Sequence, residues 1–332
     1  MMMNHTLKSR CKVSPGSVII GKWHSNQYTI LKELGFGANG VVYLAKHKNM
    51  HVALKMSDNG MSITSEVNVL KSFAKVQGSA LGPSLLDVDD WKSQQGQISF
   101  YVMEYIQGPD LLNFIQQKGK SWTTVLFLQL LNDLSKLHAN GWVFGDLKPE
   151  NLIVTGQIPK IRCIDVGGTT IQGRAIKEFT EFFDRGYWGL GSRKAEPAYD
   201  LFAVAMIMIN TAYPKRFNKT SGGISQLREA IRKQKDLAQW EKVIVKALQG
   251  HYSSALQMRS ELLALVTGQP ASDAKPISQN NMKKQYSTQN NSQPISRQVY
   301  RKHKKKSRWF ETVMITITLS FLYLIYIFQK LL

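Results

Sequence analysis

The sequence predicts an α+β protein of two unequal lobes, a small β-rich lobe followed by a larger helical one, with an apolar helix at its C-terminal end. Three observations carry this. Val41-Val42-Tyr43-Leu44 and Val52-Ala53-Leu54 are apolar runs of the kind strands favour, placed on either side of a short polar stretch. Trp122 to Asn140 is apolar at helical spacing and ends at Gly141, which suits the residue just past a helix. Thr312 to Phe328 offers 17 residues without a charge.

In chain order, residues 1–24 form an N-terminal segment and 25–267 the two-lobed domain. That domain has strands from about 28 to 55, a helix near 62–76, further strands to 105, and helices from 110 onward. Residues 268–308 form a basic linker: from Gly268 to Gln298 the composition turns to Ser, Gln, Asn and Pro with few large apolar side chains, which cannot bury a core and predicts disorder. Residues 309–328 form the apolar helix and 329–332 a tail.

Composition bounds the rest. At 332 residues and 43% hydrophobic content, the chain has ample material for a globular core. Its two cysteines, Cys11 and Cys163, offer no disulfide framework and fit a reducing compartment, with Cys163 read as a small core residue. Met1 to Lys12 lacks an apolar stretch after its basic residues and is not a secretory signal.

The chemistry concentrates in Phe144-Gly145-Asp146-Leu147-Lys148-Pro149-Glu150-Asn151. A carboxylate, an ammonium and an amide on one short loop suit a site that accepts a hydroxyl proton, neutralises a phosphate and holds a metal. Upstream, Gly35, Gly37 and Gly40 stand in G-x-G-x-x-G-x-V spacing, so a backbone free of side chains can approach a triphosphate. The β-rich run continues after Gly40, where a dinucleotide-binding unit would start a helix. Lys55 ends an apolar strand 15 positions later, and Glu66 opens a helical period that includes Leu70. Asp165, delivered by the strand Ile161-Arg162-Cys163-Ile164, follows Asn151 by 14 residues, and two hard oxygen donors are what Mg²⁺ asks for.

Glycine loop, Lys, Glu, D-x-K-x-x-N and D-x-G in that order resemble the protein kinase superfamily, specifically the bacterial Hanks-type Ser/Thr kinases, over roughly residues 25 to 265. The resemblance implies a bilobal protein-kinase-like fold with ATP and Mg²⁺ as cofactors. By it, Gly35, Gly37 and Gly40 cover ATP, Lys55 holds its phosphates and Glu66 orients Lys55. Asp146 takes the substrate hydroxyl's proton, Lys148 neutralises the γ-phosphate, and Asn151 and Asp165 bind the metal. Tyr101 to Ile106 look like the hinge, with Met103 as gatekeeper. The adenine pocket then falls to Val42, Ala53, Glu104 and Ile106, and Asp200 braces the catalytic loop from below. Lys148 favours Ser/Thr over Tyr acceptors.

The sequence also departs from that pattern. Phe144-Gly145 replaces His-Arg, and Val166 replaces the Phe of Asp-Phe-Gly. Both apolar replacements keep the hydrophobic stack between the lobes, whereas Gly145 removes the arginine that would clamp an activation-loop phosphate. No Ala-Pro-Glu closes the activation segment; Tyr187-Trp188-Gly189-Leu190 stands near that place. Two rivals stay open: a small-molecule kinase, because Gly145-Asp146 echoes the His-Gly-Asp of aminoglycoside kinases, and a catalytically weak pseudokinase serving as a DNA-to-membrane adaptor.

Charge points to partners beyond protein substrates. Net charge is +20, of which residues 271–332 supply +9. Arg297, Arg301, Lys302, Lys304, Lys305, Lys306 and Arg308 precede the apolar helix, a pattern that reads as a short membrane span with its basic flank on the cytoplasmic side against anionic lipid. A buried C-terminal helix is the alternative. Lys215, Arg216, Lys219, Arg228, Arg232, Lys233 and Lys235 concentrate the remaining surplus, for a membrane, for DNA, or merely as a solvated face. Together with the Phe-Gly-Asp loop, this layout resembles the YabT-type sporulation kinases of endospore-forming bacteria. That resemblance implies DNA binding and a single-pass cell-membrane protein with its kinase domain cytoplasmic. A homodimer would allow autophosphorylation in trans, with Thr169, Thr170, Thr180 and Ser192 as candidate sites.

Overall fold

The computed structural model describes residues 10–37, 39–75, 81–93 and 96–268. The helix expected at 309–328, the expected tail and the expected linker from 269 onward lie outside the described residues. Among the described residues, no helix is long and apolar enough to cross a membrane.

The small lobe is an antiparallel sheet of β1 (Val18–Ile20), β2 (Gln27–Gly37), β3 (Gly40–His47), β4 (Met50–Ser57), β5 (Leu85–Ser93) and β6 (Gly96–Glu104), in the order β1-β2-β3-β4-β6-β5. The two-residue period of a strand sorts its side chains. On β4, Val52, Leu54 and Met56 join Tyr43, Phe100 and Val102 in a core private to this lobe. Ala53 turns the other way with Tyr101 and Met103, and Lys55 pairs in register with Val42 and Tyr101. Helix α1 (Gly60–Lys75) begins two residues earlier than its periodicity suggests. The Asn59 carboxamide accepts from the N–H groups of Met61 (3.1 Å) and Ser62 (3.3 Å), a side-chain cap.

The sequence starts the domain at residue 25, but the fold begins sooner. β1 pairs with β2, and Cys11 is buried in the small-lobe core, where its carbonyl accepts from the Tyr43 hydroxyl at 2.9 Å. The short apolar run Val18-Ile19-Ile20 is the signal for it.

The larger lobe holds α2 (Leu111–Lys118), α3 (Ser121–Ala139), α4 (Pro197–Ala212), α5 (Ile224–Lys233), α6 (Glu241–Leu248) and α7 (Ala255–Thr267). Helix α3 fills the predicted stretch, and Gly141 follows it with φ 81°, its N–H on the His138 carbonyl. Helix α4 is buried on every face from Tyr199 to Asn210, which marks a helix through the middle of a core.

Two small ribbons position the loops that carry chemistry. β7 (Trp142–Val143) pairs with β10 (Thr170–Ile171), and β8 (Leu152–Thr155) pairs with β9 (Lys160–Cys163). The run 144–151 leaves β7 and enters β8, while 164–169 leaves β9 and enters β10. Each loop is therefore clamped at both ends against the other.

After β10 the chain returns to α4 without an Ala-Pro-Glu. A single helical turn, Arg185–Trp188, is anchored by Asp184, which has no solvent exposure. Its carboxylate accepts from Gly186 N (3.1 Å), Tyr187 N (2.9 Å), Arg193 Nε (2.8 Å) and the Tyr199 hydroxyl (2.9 Å). Burial alone would raise this carboxyl; the Arg193 and Tyr199 hydrogen bonds outweigh it and hold the group below the usual carboxylate range. A lowered folded value stabilises above the unfolded one and is lost as pH falls through it. Asp184→Asn should therefore cost about 2–4 kcal/mol at neutral pH. Urea denaturation of the purified chain should show that gap narrowing at acid pH; a gap constant with pH would contradict the charge account.

Candidate active site

A cavity of about 380 Å³ lies between the two lobes. Gly35, Gly37, Gly40, Val42, Ala53, Lys55, Glu104, Ile106, Asn151 and Asp165 all line it, drawn from distant parts of the sequence. Their roles at its rim differ. An added Cβ at Gly40 would stand 2.1 Å from the Met56 carbonyl, and φ there is 133°, so the backbone itself demands glycine. At Gly35 and Gly37 an added Cβ would meet no protein atom within 4 Å, so the glycines leave cavity space rather than relieve a clash.

Lys55 and Glu66 form a buried ion pair at 2.6 Å, on residues 7% and 3% exposed. Only 11 positions separate the two residues in sequence. Tyr101, read from the sequence as the start of the hinge run, donates its hydroxyl to the same Glu66 oxygen at 2.7 Å. Burial, then the neighbouring Glu66, pushes the Tyr101 phenol well up, so it stays a donor. A buried carboxylate needs this company, because desolvation otherwise disfavours its charge.

At the hinge, Glu104 contributes its position rather than its carboxylate. That side chain is held by Arg162 in a two-pronged contact (3.0 and 2.9 Å) and lies below the usual range because of it. The buried Ile106 N–H donates to no described residue, leaving a donor on the cavity wall.

The catalytic run sits at the cavity's edge. Lys148 Nζ lies 2.5 Å from Asp146 Oδ2, and the Thr180 hydroxyl donates to Asp146 Oδ1 at 3.3 Å. Asn151 donates its amide N–H to the Asp146 carbonyl at 3.3 Å, which turns its Oδ1 away from that bond. Asp165 accepts the Gly167 N–H at 3.0 Å through Oδ1, keeping Oδ2 for another partner. Two hard oxygens on one wall, opposite a lysine, fit a divalent cation bound with phosphate.

Below the loop, Asp200 accepts the N–H of Phe144 (2.8 Å) and of Gly145 (2.9 Å), and His138 Nε2 lies 2.8 Å from it. Gly145 has φ 85°, and an added Cβ would stand 2.7 Å from the Gly168 carbonyl. The close packing of the two chemical loops thus explains why no side chain occupies this place. Phe144 and Val166 are both buried in the core cluster that also holds Phe73 and Leu81 of the smaller lobe.

Residues 28–306 match the family described as protein kinase domain. The chain belongs to it. The serine/threonine-protein kinase YabT of Bacillus subtilis is 52% identical over 98% of both chains. A probable serine/threonine-protein kinase of Clostridium acetobutylicum is 32% identical over 41% of this chain and 22% of its own length, and cyclin-dependent kinase G1 of Arabidopsis thaliana is 24% identical over 65% and 38%. The protein is accordingly a serine/threonine protein kinase, a transferase that uses ATP and a divalent metal on protein substrates.

Other expectations meet the structure unevenly. Thr169 and Thr170 are buried in this kinase and Thr180 is engaged with Asp146, whereas Ser192 is exposed. The basic region at 215–235 is partly paired: Arg216 with Glu150, Arg232 with Glu241 and Lys233 with Glu229, while Lys219 donates to the Tyr187 carbonyl. Glu178, unremarked in the sequence, lines the cavity and accepts from the Asn39 amide of the glycine loop. Burial, then Asp165, raises its carboxyl.

Glu66→Gln keeps the volume but removes the buried counter-charge of Lys55. It should lower kcat/KM for ATP by about 10- to 100-fold, read by steady-state phosphotransfer; an unchanged value would remove the pair from nucleotide handling.

Proposed function

We propose that the chain is a membrane-anchored serine/threonine kinase that transfers the γ-phosphate of Mg-ATP to cytoplasmic or nucleoid proteins, phosphorylates itself in trans as a homodimer, and is stimulated by DNA. One observation carries the catalytic part. The buried Lys55–Glu66 pair faces the same cavity as Asn151 and Asp165, with Asp146 and Lys148 at its edge.

In this reading Asp146 orients the acceptor hydroxyl and receives its proton as the hydroxyl oxygen bonds to the γ-phosphorus and the bond to the bridging oxygen breaks to release ADP, while Lys148, already on the Asp146 carboxylate, balances the negative charge on the transferred group. Lys55, oriented by Glu66, holds the α and β phosphates, and the glycine-loop backbone closes over them. Asn151 and Asp165 hold Mg²⁺, which when bound neutralises phosphate charge. Val42 and Ala53 flank the adenine ring, whose polar edge meets the Glu104 carbonyl and the Ile106 N–H.

Anchoring rests on the uncharged run Thr312 to Phe328 and the basic cluster before it. A juxtamembrane cluster of this density draws anionic lipid, at about 1 kcal/mol per Lys or Arg near the surface. The net charge of +20 supports DNA as the activator, gathering kinase molecules on one polymer so that each meets another. Within 215–235, Lys215 and Lys235 are exposed and make no side-chain ion pair among the described residues. They are the positions first available to phosphate.

The full-length chain in detergent micelles should label itself with ATP and Mg²⁺, faster with DNA, and Asp146→Asn should abolish labelling. Equal labelling by that variant would remove Asp146 from the chemistry. Retention on DNA should weaken steeply between about 50 and 200 mM salt; a flat response would refute electrostatic DNA capture without touching the kinase assignment.

A further inference from the structure

Beside the acceptor side of the site, a second cavity of about 300 Å³ opens on the larger lobe, walled by Thr180, Phe182, Tyr187, Arg216 and Phe217. Its position follows from Thr180, whose hydroxyl bonds Asp146 Oδ1. A hydroxyl delivered to Asp146 enters along this rim, and successive residues of an extended chain are about 3.8 Å apart. A residue close to the acceptor in sequence can therefore reach the cavity.

Arg216 is the cation on its wall, and the fold goes to some length to hold it there. Its backbone is left-handed (φ 55°), a conformation that costs a non-glycine residue on the order of 1 kcal/mol. The guanidinium lies over the Phe183 ring, 4.7 Å from its centroid, within an aromatic group in which Phe182 and Phe217 meet edge to face at 5.3 Å. From that seat it pairs with Glu150, four residues after Asp146 on the catalytic loop.

The pair is exposed, 29% for the Arg216 side chain and 56% for Glu150, so it contributes about 1 kcal/mol at most. A guanidinium offers five donors in a planar fork, and Glu150 is its side-chain partner among the described residues. An incoming carboxylate can share or take the fork at little cost. Glu181 also lines the cavity but forms no ion pair with Arg216 among the described residues, and the exposed Lys215 adds a second cation next to Arg216.

We propose that Arg216 reads an acidic side chain flanking the accepting Ser or Thr of protein substrates, with Glu150 keeping its place in the free enzyme. This rests on the proposed role of Asp146 in receiving the acceptor hydroxyl. It makes the protein a kinase that prefers acidic surroundings, even though Glu150 alone on the catalytic loop would favour basic ones.

The test uses the full-length kinase in detergent micelles, without DNA, and peptides with one Ser or Thr in which each flanking position is in turn Ala, Glu or Lys. At one position or more, Glu should raise kcat/KM about three- to tenfold over Ala. Arg216→Gln should bring that ratio to one, and Glu150→Gln, which frees the guanidinium, should increase it. A merely structural ion pair would instead make both variants act alike on every peptide. Wild-type ratios of one throughout, a preference for Lys, which would assign the cavity to Glu181, or a Glu preference that survives Arg216→Gln would each overturn the proposal. Failure to label even the alanine reference peptide would count against the proposed function rather than against Arg216.

Discussion

The catalytic loop depends on a carboxylate that water does not reach. Asp200 has no solvent exposure, and a buried charge persists only where hydrogen bonds replace its hydration. Here the replacements are the N–H groups of Phe144 and Gly145, His138 Nε2, and a place in the first turn of α4, where the helix dipole favours negative charge. The dependence is mutual. Asp200 requires the loop's donors, so the loop cannot tilt without stranding it, and Asp146 is the next residue along. Gly145 completes the arrangement by adopting φ 85° where the two chemical loops pack backbone to backbone.

The smaller lobe meets this fixed element through a second buried charge set. Strand alternation on β4 sends Lys55 toward the cleft while Val52, Leu54 and Met56 anchor the sheet on the opposite side. Helix α1, started by its Asn59 cap, brings Glu66 to that lysine, and Tyr101 of the adjacent strand supplies a further hydrogen bond. One apolar cluster running from Phe73 and Leu81 through Val166 to Phe144 joins the lobes. The replacements in the family's usual tripeptides therefore exchange one set of contacts for another and leave the cleft lined by Lys55, Asn151 and Asp165, with Asp146 and Lys148 at its edge.

Much of this was legible because the chemistry lies in short local patterns. Glycine spacing, a lysine closing an apolar strand, and carboxylate, lysine and amide on one loop are visible without a fold, whereas the bracing role of Asp200 was legible only through the family resemblance. What stayed hidden depends on pairs far apart in sequence. Nothing local marks Tyr101 as the partner of Glu66, His138 as a neighbour of Asp200, or Glu178 as the acceptor for Asn39. The basic run at 215–235 misleads in the other direction: counting charges cannot show that Arg216, Arg232 and Lys233 already have carboxylate partners. Likewise the hydroxyls of Thr169 and Thr170 look available in the sequence but are buried against the catalytic loop's flank.

The claim that Asp200 sets the geometry of the catalytic loop is tested most directly by Asp200→Asn, with single-turnover phosphotransfer and calorimetric ATP binding measured on the same preparation. An amide can accept one of the two loop N–H groups but turns an N–H against the other. The chemical step should therefore slow by at least about tenfold, a loss of about 1.4 kcal/mol, while ATP affinity changes by less than about twofold. A variant that transfers phosphate at the wild-type rate, or one that loses ATP binding and transfer in equal measure, would contradict the account.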